Sequence, residues 1–290
     1  MTTTEVFRRS SAMRLVLPAG VGAAAVAVSA VLPQEVHYDK GMAPLWVPAV
    51  AAVLAVCSAL LTARRLVLVC GWTGAVLFLW AAGGVVLDAF RAFYWATGIP
   101  AGEFAQVDWP GALRRFVSLL AAAVVGAGTL RYQRATSDGR APRQWGSSWL
   151  GYAAFAVGFP YPMLKLYWCL GGSIARPAVY TEGFPVMELV CLVAGASLSL
   201  ALAQSWGRRL PRRLVLAPAW FATAALVSMA ALMVFGTASQ LLGITDGPVD
   251  FGDTQSLVAV GTVYLSWLVF GLTLGGATLA FQRATGPVDR

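Results

Sequence analysis

The sequence predicts an all-α protein: a polytopic transmembrane bundle of eight helices, arranged as two four-helix repeats in tandem. Three observations predict it. Apolar residues are in large excess, they fall into eight long runs, and similar segments recur at one spacing. Of 290 residues, 58% are hydrophobic and only 12% are charged, and the mean hydropathy is +0.70. A soluble domain carries about 45–50% apolar and about 25% charged residues. A water-facing fold could not hide this much apolar surface. The same numbers exclude a disordered chain. The apolar positions number about 168, enough for about eight crossings at about 20 residues each.

The runs cover residues 15–33, 44–63, 66–88, 113–131, 149–172, 185–206, 214–237 and 256–280. At about 1.5 Å of rise per residue, each spans about 30 Å of hydrocarbon. Membrane-spanning strands would be about ten residues long and would alternate in polarity, which these runs do not. The first run follows Arg8, Arg9 and Arg14 and reaches Val28-Ser29-Ala30, a layout shared with secretory signals. The repeat described below requires that run as a helix, so it is read as retained. Residues 1–290 then form a single integral membrane domain. The longest connections, 93–112, 132–148 and 238–255, leave no room for a soluble domain. No phosphate-binding GxxxxGK[ST] or GxGxxG motif is present.

Orientation comes from the cations. The chain has nineteen Arg and two Lys, Lys40 and Lys165, for a net charge of +8. Fifteen Arg residues fall on one side, among them Arg64, Arg65, Arg131, Arg134, Arg208, Arg209, Arg212, Arg213 and Arg283. The other side has Lys40, Arg91, Arg114, Arg115 and Arg176, and most of the acids. Positively charged loops stay in the cytoplasm, so both termini are expected there and the compartment is the cytoplasmic (inner) membrane. This reading accounts for the basic balance without nucleic acid. Cys57, Cys70, Cys169 and Cys191 lie inside apolar runs with no CxxC spacing and read as small buried hydrophobes.

The repeat rests on two matches. Arg64-Arg65-Leu66-Val67-Leu68 followed by Trp72 matches Arg212-Arg213-Leu214-Val215-Leu216 followed by Trp220, at an offset of 148. Thr129-Leu130 and Gln133-Arg134-Ala135-Thr136 match Thr278-Leu279 and Gln282-Arg283-Ala284-Thr285, at an offset of 149. The repeats are expected over 14–136 and 149–285. With an even number of helices each, they are parallel, as in some transporter folds.

Charged residues at membrane depth are costly and therefore mark candidate sites. Lys165 lies 16 residues after Trp149, roughly 24 Å along the fifth helix. Pro160 and Pro162 precede it and cannot donate to the carbonyls of Ala156 and Gly158, so a kink or break is expected. Tyr161 and Tyr167 flank it on the same segment. Glu188 opens the sixth helix just after Pro185 and is within reach of Lys165, whose side chain can extend about one turn. Asp88 and Arg91 are expected to close the third helix and to pair at i and i+3. Arg114 and Arg115 open the fourth helix as interfacial anchors or contacts for an anionic headgroup. His37 is the only histidine and cannot by itself supply a His-cluster metal site, bis-His haem or di-iron centre, so neither metal nor cofactor is expected. The loop Asp246–Asp253 holds three acids, but their spacing fails the calcium-loop pattern. Gly271 and Gly275 form a GxxxG packing signal, and Trp46, Trp95, Trp109, Trp145, Trp149 and Trp206 fall at run boundaries, as an aromatic belt does.

The segment Tyr161-Pro162-Met163-Leu164-Lys165-Leu166-Tyr167-Trp168-Cys169-Leu170-Gly171-Gly172 resembles uncharacterised multi-pass membrane proteins of actinobacteria. The resemblance implies a bacterial membrane protein and carries no activity to these residues. The polar features fit a small transporter or permease component with a polar site in the outer half of the bilayer. Two alternatives stand beside it. One is a membrane-embedded enzyme on a lipid or terpenoid-like substrate, with Glu188 or Asp88 as general acid. The other is a non-catalytic partner subunit. The expected partners are the lipid bilayer, a small or lipidic ligand, and a membrane or ATPase subunit.

Overall fold

A computed structural model describes Gly20 and residues 42–99, 105–136, 148–176, 184–247, 249 and 251–285. Apart from Gly20, the run expected at 15–33 lies outside the described residues. So do His37, Lys40 and Trp145. The described residues are helical and contain no strand. In chain order the helices are α1 (Trp46–Leu60), α2 (Arg64–Ala81), α3 (Val85–Thr97), α4 (Trp109–Ala135), α5 (Ser148–Val157), α6 (Pro160–Cys169), α7 (Val186–Ala203), α8 (Arg212–Leu241) and α9 (Thr254–Ala284). One 3₁₀ turn, Ser205–Arg209, joins α7 to α8. Five stretches are long and apolar enough to cross a membrane: Arg64–Thr97, Trp109–Ala135, Val186–Ala203, Arg212–Leu241 and Leu257–Ala284. The architecture is that expected of a multi-pass helical membrane protein.

Two expected continuous runs are broken. The run 66–88 is interrupted at Ala82–Gly84, and the helix then continues to Thr97, so Asp88 lies in the first turn of α3 instead of closing a helix. The cause is Gly84, whose φ of +91° lies in the left-handed region, where a side chain would be strained. A Cβ there would also sit 2.8 Å from Met42 Cε. The run 149–172 is split at Gly158–Phe159 into α5 and α6. Pro160 takes the first position of α6, where its missing N–H costs nothing. The Ala156 carbonyl is not left open by Pro160, because Phe159 N donates to it at 3.4 Å.

The chain divides into two compact units, residues 1–140 with 231–247 and residues 141–230 with 248–290. The first packs Ala51, Ala52 and Ala55 of α1 against Ala75 and Phe78 of α2 and Ala121 and Val125 of α4. A second cluster places Val47 with Trp80, whose ring stacks on Phe235 at 5.6 Å. The second unit packs Ala154, Leu202, Val215, Ala219, Leu274, Ala277 and Phe281. Small residues set the helix approach in both, because close backbones gain dispersion contacts in a bundle. A Cβ on Gly271 would sit 2.8 Å from Val227 Cγ2, and one on Gly275 would sit 2.9 Å from Thr223 Cγ2. In the first unit a Cβ on Gly71 would meet the Thr129 side chain at 2.4 Å.

The repeated segments make the same bond in each unit. Trp72 Nε1 donates to Gln133 Oε1 at 3.1 Å. Trp220 Nε1 donates to Gln282 Oε1 at 3.3 Å. Thr129 and Thr278 are both buried and both donate to a carbonyl four residues earlier, those of Val125 and Leu274. Arg64 Nε reaches Thr136 Oγ1 at 3.0 Å, and Arg212 Nη2 reaches the Gln282 carbonyl at 3.3 Å.

Candidate functional site

Among the described residues, each unit holds a charged cluster that is buried or half-buried. In the second unit the proline break starts α6, which carries Tyr161 and Lys165 one turn apart and therefore on one face. Pro185 caps α7 and puts Glu188 in its first turn, where a carboxylate is favoured by the helix dipole. Lys165 Nζ lies 3.9 Å from Glu188 Oε1, with the Lys side chain 11% and the Glu side chain 20% exposed. Tyr161 Oη donates to the same Glu188 oxygen at 3.4 Å. The Lys165 ammonium is also 6.0 Å from the Tyr161 ring centroid, at the limit of a cation–π contact. Trp267 packs edge-on against Tyr161 at 5.0 Å and against Tyr264 at 5.2 Å. The ammonium and carboxylate thus lie beside aromatic rings.

Tyr167 does not join this group. Its ring lies over Gly172, where a Cβ would meet it at 2.3 Å, and its hydroxyl accepts from Ile174 N at 3.5 Å. It shapes the turn after α6 together with Trp168, whose Nε1 donates to the Ile174 carbonyl at 2.9 Å. Pro162 is buried beside Lys165, and Pro160 is exposed.

In the first unit the centre is Arg115. Its Nε and Nη2 hold Asp88 Oδ2 and Oδ1 at 2.5 and 2.8 Å. Nη2 is also 3.6 Å from Asp108 Oδ2, and Nη1 is 3.4 Å from Met42 Sδ. Arg115 and Asp88 are each 4% exposed. One expectation changes here. Arg115 is not a surface contact for headgroups: it faces inward to two carboxylates. Arg115 on α4 holds Asp88 bidentately, its planar guanidinium fork matching both carboxylate oxygens. Arg91 is half-buried one turn further along α3, and Arg114 is half-buried beside Arg115.

Asp108 was not singled out from the sequence. It caps α4, accepting from Gly111 N at 3.0 Å. The signal for it is Asp108-Trp109-Pro110-Gly111: an Asp before a Pro in the first turn marks a helix start. Gly111 leaves room for the cluster, since a Cβ there would sit 1.8 Å from Asp108 Oδ2 and 2.9 Å from Arg115 Nη1.

In the acidic loop, Asp253 Oδ1 accepts from Gln255 N at 3.0 Å and caps α9. Among the described residues no three His, Cys, Asp or Glu side chains are grouped to hold a metal ion, and the four cysteines are free thiols. No protein-family model, no curated protein and no solved structure matches the chain significantly.

Proposed function

We propose that the chain is a small transporter or permease component of the bacterial cytoplasmic membrane, with Lys165, Glu188 and Tyr161 lining the path of a small or lipidic ligand. The observation that carries the reading is the Lys165–Glu188–Tyr161 cluster beside the α5–α6 break. An ammonium and a carboxylate 3.9 Å apart, inside an apolar bundle, are expensive unless water or a ligand reaches them. A broken helix at membrane depth is itself tolerated only where it faces protein or a cavity. In this reading eight helices cross the bilayer with both termini in the cytoplasm, and the site lies in the outer half. The two units descend from one duplicated four-helix ancestor. The recurring Trp72–Gln133 and Trp220–Gln282 bonds support that descent. Energy from ATP would require a separate subunit, since the chain has no nucleotide motif.

Thiol accessibility tests the reading. In a cysteine-free background, Tyr161→Cys should react with a small membrane-impermeant reagent in intact vesicles. Met163→Cys, on the exposed outer face of α6, should not. Equal inertness at both positions would remove the path, and equal reactivity would show a helix bathed in water on all sides.

A further inference from the structure

The connection between α7 and α8 carries the densest positive charge in the sequence: Arg208, Arg209, Arg212 and Arg213 within six residues. All four are exposed. Their arrangement is fixed by the turn before them. Gly207 is buried, and a Cβ on it would sit 1.8 Å from the Ala201 carbonyl oxygen and 2.5 Å from its carbon. The 3₁₀ turn therefore lies directly on the end of α7, and Leu210 N closes it onto the Gly207 carbonyl at 3.3 Å. Arg212 Nη2 bonds the Gln282 carbonyl, tying the start of α8 to the end of α9.

This cluster is unfavourable by itself. The first turn of α8 holds no acid, so Arg212 and Arg213 stand at the positive end of a helix dipole with no acid beside them in that turn. The described acids of this unit, Glu188 and Asp253, stand at the starts of α7 and α9. The arginines adjoin the other ends of those helices, about 27 Å away along the 18 residues of α7. The first unit lacks the excess. Its α1–α2 connection, Leu61–Ala63, is followed by one pair only, Arg64 and Arg65. Beside the four arginines, Trp206, Leu210 and Leu214 are exposed, the mixture of aromatic, apolar and basic groups that suits the headgroup level of a membrane.

We propose that this turn binds an anionic phospholipid whose headgroup carries two phosphates. Arg208 and Arg209 precede Leu210-Pro211 and Arg212 and Arg213 follow it, so guanidinium groups are available on both sides of the turn, enough for two phosphates. Forked donors match phosphate oxygens bidentately, and basic clusters at the membrane edge recognise such headgroups. Leu210 and Leu214 lie against the acyl chains. The inference rests on the membrane reading but not on the Lys165 path, so either can fail alone.

The test uses the full chain in detergent and nanodiscs, with diphosphatidylglycerol, phosphatidylglycerol at matched charge, phosphatidylcholine and inorganic phosphate as probes. Native mass spectrometry counts retained lipid, and melting temperature reports stabilisation. The wild type should retain the diphosphate lipid roughly tenfold better than phosphatidylglycerol, R208Q/R209Q should lose that preference, and R64Q/R65Q should keep it. Where R208Q/R209Q does not fold, R208K/R209K keeps the charge and removes the fork, and the preference should again fall. A preference retained in the 208/209 variant that folds would overturn the proposal. So would equal binding of phosphatidylglycerol, equal loss in R64Q/R65Q, or full competition by inorganic phosphate.

Discussion

The two buried charge clusters solve one problem differently. Arg115 grips Asp88 with two short bonds and has a second carboxylate, Asp108, at 3.6 Å. Lys165 meets Glu188 at 3.9 Å and shares the oxygen with Tyr161. The first arrangement is closed: the charges are 4% exposed and the geometry is bidentate. The second is open, with a partly exposed carboxylate and aromatic walls. The difference teaches that burial of charge does not by itself mark a working site. A bidentate, fully buried cluster fixes two helices together, whereas the Lys165–Glu188 pair is longer and its carboxylate more exposed.

Removing the cation from each should separate the two most strongly. Arg115→Leu removes the buried cation that faces two buried carboxylates and should cost about 3–5 kcal/mol, enough to prevent recovery of folded protein. Lys165→Leu should cost less, about 1–3 kcal/mol, because Glu188 can still be hydrated. Unfolding in detergent micelles measures both, and equal losses would erase the distinction. Next comes crowding. Gly111→Ala pushes a methyl into Asp108 and should cost about 1–3 kcal/mol, whereas Gly126→Ala on the same helix meets only Ala75 Cβ at 3.8 Å and should be neutral or slightly stabilising. Third, Lys165→Met with Glu188→Leu should depart from additivity by about 0.5–3 kcal/mol in the milder direction. An additive double variant would mean the pair does not interact. The smallest effect tests kinship between the units: Trp72→Phe and Trp220→Phe each lose one side-chain bond, worth about 0.5–1.5 kcal/mol. The two losses should agree within about 0.5 kcal/mol. A large loss at one site and none at the other would break the parallel.

Much of this was legible because it depends on composition and spacing. The helical class follows from run length and hydropathy. The Lys165–Glu188 neighbourhood follows from a charge at depth and a short connection. The breaks were harder to place. Pro160 announces an interruption, but whether it kinks one helix or starts another depends on Phe159 taking over the Ala156 carbonyl. Gly83-Gly84 reads as tolerable in a helix, and only the left-handed backbone and the approach of Met42 make it a stop. The burial of Arg115 has a tertiary cause. Position along the chain puts it at a helix start, but only the fold shows that it turns towards Asp88, 27 residues earlier.

Gly111 carries a consequence for how this protein can change over time. Its missing side chain is the space in which a capping carboxylate and a guanidinium meet. A mutation at Gly111 therefore damages a helix end and an ion pair at once, and no compensating change at a single other position can rescue both. Asp88, Asp108 and Arg115 are likewise bound to one another by charge. The four positions form one physical unit, in which a change at any one alters the surroundings of the other three.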